Sequence, residues 1–169
     1  SSSRFAGNLG LGTQVQRHGE WTRLEASLLA PEASIYSKDF YSGTAVKLQK
    51  GLNIFNLSYG MYARSGYSAS QIGWSAQENS IISYAAGKAI IAKAAGNDGI
   101  VIGGANASGQ TDYLNLSLAG KSSAIFVGAL NSNGTTSKKA ALASYSNKPG
   151  SNATVQKQFL VVGVEGSKT

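Results

Sequence analysis

The stretch that most constrains this chain is Ala89-Ile90-Ile91-Ala92 running into Lys93-Ala94-Ala95-Gly96-Asn97-Asp98-Gly99. A short apolar run that leaves through small residues and glycine reads as a buried strand ending in a tight loop. Similar runs recur at 52–57, 124–129 and 159–164. Between the first two lies a helical pattern over 70–87, with Ile72 paired to Ala76 and Ile81 to Ala85. Strands alternating with helices predict an α/β fold: a three-layer, mostly parallel sheet with helices on both faces. Right-handed crossovers then bring every strand exit to one edge. Open α/β sheets hold their ligands at that edge.

Asn97 therefore stands on a loop where chemistry is expected. Two readings of it remain open on local residues alone. Asn97-Asp98-Gly99 is a tight turn, or the Asn97 amide donates to a developing oxyanion, a role worth several kcal/mol in acyl transfer.

Before the first run, residues 1–16 are rich in Gly, Ser and Asn and read as a loop-like lead-in. Gly7, Gly10 and Gly12 follow no strand, so they are not read as a phosphate loop. Trp21, Leu24, Leu28 and Leu29 place one apolar face on a helix over 19–29, which Pro31 stops. His18 then falls at the amino end of that helix. A helix amino terminus disfavours the imidazolium, so His18 reads either as a neutral general base or as a structural side chain. A strand is expected over 34–40, where Ile35, Tyr36 and Phe40 favour extension, and a short helix over 43–50 capped by Gly51. A polar loop is expected over 61–69. Residues 113–118 read as helical or irregular, 131–134 as a turn and 143–147 as extended.

With 169 residues the chain suits a single domain. It has no cysteine, which excludes a disulfide scaffold and a cysteine nucleophile. One histidine and eight scattered carboxylates do not assemble a metal site. No cofactor motif is present. The net charge of +7 is spread over isolated lysines rather than an aromatic-interleaved stripe, so no nucleic-acid partner is expected. A basic polyanion-binding module remains an alternative, one that salt-dependent binding would test. No apolar run of about 18 residues exists, so no membrane span is expected. The Asn-x-Ser/Thr triplets, such as Asn106-Ala107-Ser108, are read as chance in so Asn- and Ser-rich a chain.

Taken in order, Asn56-Leu57-Ser58-Tyr59-Gly60, Ala94-Ala95-Gly96-Asn97-Asp98-Gly99, Val127-Gly128-Ala129 and Ala143-Ser144-Tyr145-Ser146-Asn147 resemble the subtilisin-like serine proteases. His18-Gly19 and the helix after it, followed by Ala30-Pro31-Glu32-Ala33-Ser34-Ile35-Tyr36, are similar to that family's catalytic-histidine segment. The resemblance covers about 17 to 166. It implies His18 as general base and Asn97 as side-chain oxyanion donor. It implies Ser58, Tyr59 and Gly60 as one wall of the primary specificity pocket, pairing with extended substrate, and Ala95 and Gly96 as the opposite wall. A peptide or protein is the implied substrate, and a secreted or cell-envelope location is implied as well.

The departures from the family pattern are specific. Tyr59 stands where a smaller aliphatic residue is usual. Glu20-Trp21 follows His18-Gly19 where Thr-His is common, and Val162-Gly163-Val164-Glu165-Gly166 replaces Ala-Pro-Gly. No Asp occurs in residues 1–17, and no Gly-Thr-Ser motif occurs before Thr169. The chain thus reads as an interior, partial subtilisin-like domain, incomplete at both ends. Alone it is expected to be inactive, and either to associate with missing parts of its parent chain or to form homo-oligomers. A non-catalytic module that binds extended peptides by strand addition is the alternative.

Overall fold

The computed structural model describes residues 13–39 and 41–163. The chain divides into two compact units, one ending at Ser42 and the other starting at Gly43.

The first unit holds helix α1, Gln14–Leu29. It starts several residues before the expected position 19, because nothing from Gln14 to Arg17 opposes a helix and Gly19 is tolerated inside it. Residues 14–16, assigned to the loop-like lead-in, are therefore helical, and residues 1–12 lie outside the described residues. His18 is consequently not at the helix amino end. It sits in the second turn, beyond the reach of the terminal dipole. No strand forms over 34–39, and Phe40 lies outside the described residues. Tyr36 is exposed, and among the described residues no strand pairs with this segment. Strand preference is largely preference for a neighbouring strand, and here there is none.

In the second unit the four apolar runs become strands: β1 (Ile54–Leu57), β3 (Ile90–Ala94), β5 (Ala124–Leu130) and β6 (Phe159–Gly163). They form one parallel sheet in the order β1-β3-β5-β6. Their carboxyl ends thus share one edge. Two further strands, β2 (Tyr62–Arg64) and β4 (Gln110–Asp112), pair antiparallel beside that edge. Residues 62–64, expected as loop, join a sheet because Gln110–Asp112 supplies their partner.

The expected helix over 70–87 is shorter. A 3₁₀ turn at Ala69–Gln71 precedes α2, Ala76–Tyr84. Ser75 caps α2, its hydroxyl accepting from the Gln77 N–H at 3.2 Å. Helix α3 (Tyr113–Leu118) follows β4 directly, and α4 (Ala153–Lys157) precedes β6. No helix forms over 43–50. Side chains of α2 bond that segment instead. Gly43 N–H donates to Gln77 Oε1 at 3.1 Å, Val46 N–H donates to Ser80 Oγ at 2.9 Å, and Tyr84 OH donates to Val46 C=O at 2.7 Å. Gly51, at φ +93°, serves a turn rather than a helix cap.

Register decides where the core lies. Leu57, Ile91 and Phe126 point to one face and meet Ile81, Leu114, Leu118 and Val155 from the three helices of this unit. Each of these residues is nearly or fully buried, which is the dominant stabilising term. The opposite face carries Ile54, Ile90, Ile125, Leu160 and Val162; Ile54 and Leu160 are more than half exposed. Among the described residues no helix is long and apolar enough to cross a membrane.

Candidate functional site

Where β1 and β3 end, their exits enclose a cleft of about 240 Å3. Ser58, Tyr59 and Gly60 form one wall and Gly96, Asn97 and Asp98 the other, with Lys93 and Asp112 between them. Tyr62 OH donates to Asp98 Oδ2 at 3.2 Å and ties one wall to the other. A larger hollow, about 420 Å3, lies at the opposite edge around Lys121, Thr154 and Lys157. It is at the amino ends of β5 and β6 and encloses no buried charge, so the smaller cleft at the carboxyl edge is the candidate site.

The wall built on β3 is held by asparagines. Asn147, 2% exposed, accepts from the Asp98 N–H at 3.0 Å and the Ile100 N–H at 3.2 Å through Oδ1. Its Nδ2 donates to Ala95 C=O at 3.0 Å, and its backbone N–H donates to Gly96 C=O at 2.9 Å. Asn115 Nδ2 donates to the same Ala95 carbonyl at 2.8 Å. Gly99 N–H bonds Tyr145 C=O at 2.8 Å. Gly96 lies at φ +112°, and a side chain there would also collide with Asn147 Nδ2. The backbone on both sides of Asn97 is thus fixed, while Asn97 is itself exposed and its amide takes no protein partner among the described residues.

The wall built on β1 is held by a carboxylate. Asp112 caps α3, its Oδ1 accepting from the Leu114 N–H at 3.1 Å and the Asn115 N–H at 3.4 Å. The same oxygen accepts from the Met61 N–H at 3.0 Å. Its Oδ2 meets Lys93 Nζ at 2.9 Å, with side-chain exposures of 5% and 1%. Lys93 Nζ also donates to Ala94 C=O at 2.7 Å. Burial pushes the Lys93 ammonium below the ordinary lysine range, and the Asp112 charge and hydrogen bond oppose that push. Tyr59 is raised to about 12 by burial first, then by the negative charges of Glu78 and Asp112. Tyr62 is also raised to about 12, by burial and then by Asp112 and Asp98.

Five of the expected site residues, Ser58, Tyr59, Gly60, Gly96 and Asn97, therefore meet in one cleft. Ala95 does not line it. Its side chain is fully buried in the core, and its carbonyl anchors the wall from behind. His18 belongs to the first unit and the cleft to the second. Lys93, Asp112, Tyr62 and Asn147 were not assigned roles on sequence. One signal pointed to the first pair: a lysine inside the run Ile90-Ile91-Ala92-Lys93-Ala94 requires a buried carboxylate partner. Comparisons with family models, with curated proteins and with solved structures found no match to this chain.

Proposed function

We propose that the chain is the central part of a subtilisin-like serine endopeptidase domain, three-layered when complete, in which the cleft takes a substrate side chain and Asn97 stabilises the oxyanion. One observation carries this reading. An exposed, unengaged amide stands at the rim of a polar cleft, on a loop whose backbone is fixed on both sides. Oxyanion stabilisation needs a donor whose position does not have to reorganise during the reaction.

In this reading an extended peptide lies along Ser58-Tyr59-Gly60 and directs one side chain between the walls. A serine outside these residues attacks the scissile carbonyl, and its hydroxyl proton passes to His18. The carbonyl oxygen gains the charge and accepts from the Asn97 amide. As the C–N bond breaks, His18 returns the proton to the departing amine, leaving an acyl-enzyme that water then hydrolyses. The orienting aspartate is likewise assigned to another part of the protein.

The full gene product should hydrolyse peptides and take up a fluorophosphonate. Asn97→Ala should lower kcat about 10²–10³-fold with KM little changed. A product that cleaves peptides equally well after this substitution would refute the role of Asn97. One that binds peptides without cleaving them would replace the reading with a non-catalytic module.

A further inference from the structure

The base of the cleft holds charges that neither wall needs for catalysis. Lys93 Nζ has three protons to donate; two go to Ala94 C=O and Asp112 Oδ2. Oδ1 of Asp112 serves three backbone N–H groups, whereas Oδ2 serves Lys93 alone. One donor and one acceptor site thus remain on a buried pair that lines the cleft. Gly60 keeps the space beside the Asp112 carboxylate open. A Cβ at this position would lie 2.7 Å from Asp112 Oδ2 and 2.5 Å from Tyr62 Cε2.

Each class of incoming side chain can be weighed against this base. A lysine or arginine would place a second cation beside Lys93. A glutamate or aspartate would meet both Asp112 and Asp98, the latter held across the mouth by Tyr62. A large apolar side chain would cover the remaining donor and acceptor without satisfying either, which is costly in a water-excluded site. A carboxamide satisfies both: its oxygen accepts from Lys93 Nζ and its NH₂ donates to Asp112 Oδ2.

We propose that the cleft selects a neutral carboxamide side chain, glutamine or asparagine, on the acyl side of the scissile bond, with Lys93 and Asp112 as the specificity-determining pair. This rests on the peptidase reading above. It makes the ion pair part of recognition rather than only part of the fold.

The test uses the full gene product and a peptide series differing only at that residue: Gln, Asn, Leu, Lys or Glu. The wild type should give the highest kcat/KM for Gln or Asn, by about tenfold or more, because a site built to hydrogen-bond a side chain rejects analogues that lack the partners. Lys93→Met exposes the Asp112 charge and should move the preference to Lys. Asp112→Asn keeps the helix cap, leaves the Lys93 charge and should move the preference to Glu. The double variant Lys93→Met with Asp112→Asn should favour neither charge. If Lys93→Met fails to fold by circular dichroism, Asp112→Asn and the double variant still decide the matter. Opposite swings in the single variants would support the proposal, since loss of a structural ion pair alone gives no such reversal. A wild-type preference for Leu, or an unchanged order in the variants, would overturn it and leave the peptidase reading standing. No cleavage of any peptide would overturn both.

Discussion

The two walls of the cleft are anchored by different chemistry. The β3 wall, with Asn97, hangs on neutral amides: Asn147 and Asn115 bond its backbone directly. The β1 wall hangs on charge: Asp112 holds Met61 N–H and Lys93 together. A neutral amide that accepts twice and donates fixes a backbone without placing charge beside it. A buried ion pair also fixes position, but it sets a local field and leaves a charged group stranded if its partner is lost. The donor that would face a developing oxyanion thus stands, beside Asp98, on the wall that neutral amides anchor, and the Lys93–Asp112 pair lies at the base, where a side chain would be read.

This contrast predicts an order of effects. The largest falls on the charged wall. Asp112→Ala should destabilise the protein by about 3–5 kcal/mol, since it strands Lys93 and removes the α3 cap; urea denaturation measures it. A loss under about 1 kcal/mol would show that this wall does not depend on the pair.

On the amide-anchored wall, Asn147→Ala should cost about 2–3 kcal/mol, because buried backbone groups lose their partners. Its signature is local: the Asp98 and Ile100 amides should lose hydrogen-exchange protection while those of β5 keep theirs. Gly96→Ala should cost about 1–3 kcal/mol from left-handed strain and collision with Asn147, read as a drop in Tm. Asn97→Ala should change stability by less than about 0.5 kcal/mol, as an exposed position does. The two asparagines would then separate cleanly, one holding the wall and the other presented by it.

The mildest test is alkaline pH. Tyr59 and Tyr62 are raised from 10.0 to about 12 in the folded state. The native protein therefore holds their protons between these values while the unfolded chain releases them. Their contribution to stability is complete below about pH 10 and is lost as pH rises towards 12. Lys93, lowered from 10.5, acts in the opposite direction as pH approaches its ordinary value. Tyr62→Phe should flatten the alkaline loss in a denaturation series, and an unchanged slope would remove Tyr62 from the balance.

Much of the sheet was legible in the chain. The runs around Leu57, Ile91, Phe126 and Val161 became its four parallel strands, because short apolar runs bounded by Gly, Ser and Asn have few other ways to bury themselves. The loop ending at Gly99 and the exit at Gly60 were legible for the same reason. The segments 34–39 and 43–50 were not. Their local preferences were weak, and the presence or absence of a distant partner decided them: no strand for the first, and Gln77, Ser80 and Tyr84 for the second. The amino end of α1 was not legible because the apolar face starts only at Trp21, while the polar turn before it joins the helix and Gly19 inside it costs about 1 kcal/mol.

Sequence alone determined the parallel α/β class, the edge at which a ligand cleft would open and the residues on its two rims, since these follow from local periodicity and glycine placement. Only the tertiary structure decided what lies between the rims. Asp112 reaches Lys93 across 19 positions, and Asn147 reaches Asp98 across 49. No local pattern encodes such pairs; they arise because a buried charge or amide must find its partner wherever the packed chain brings one.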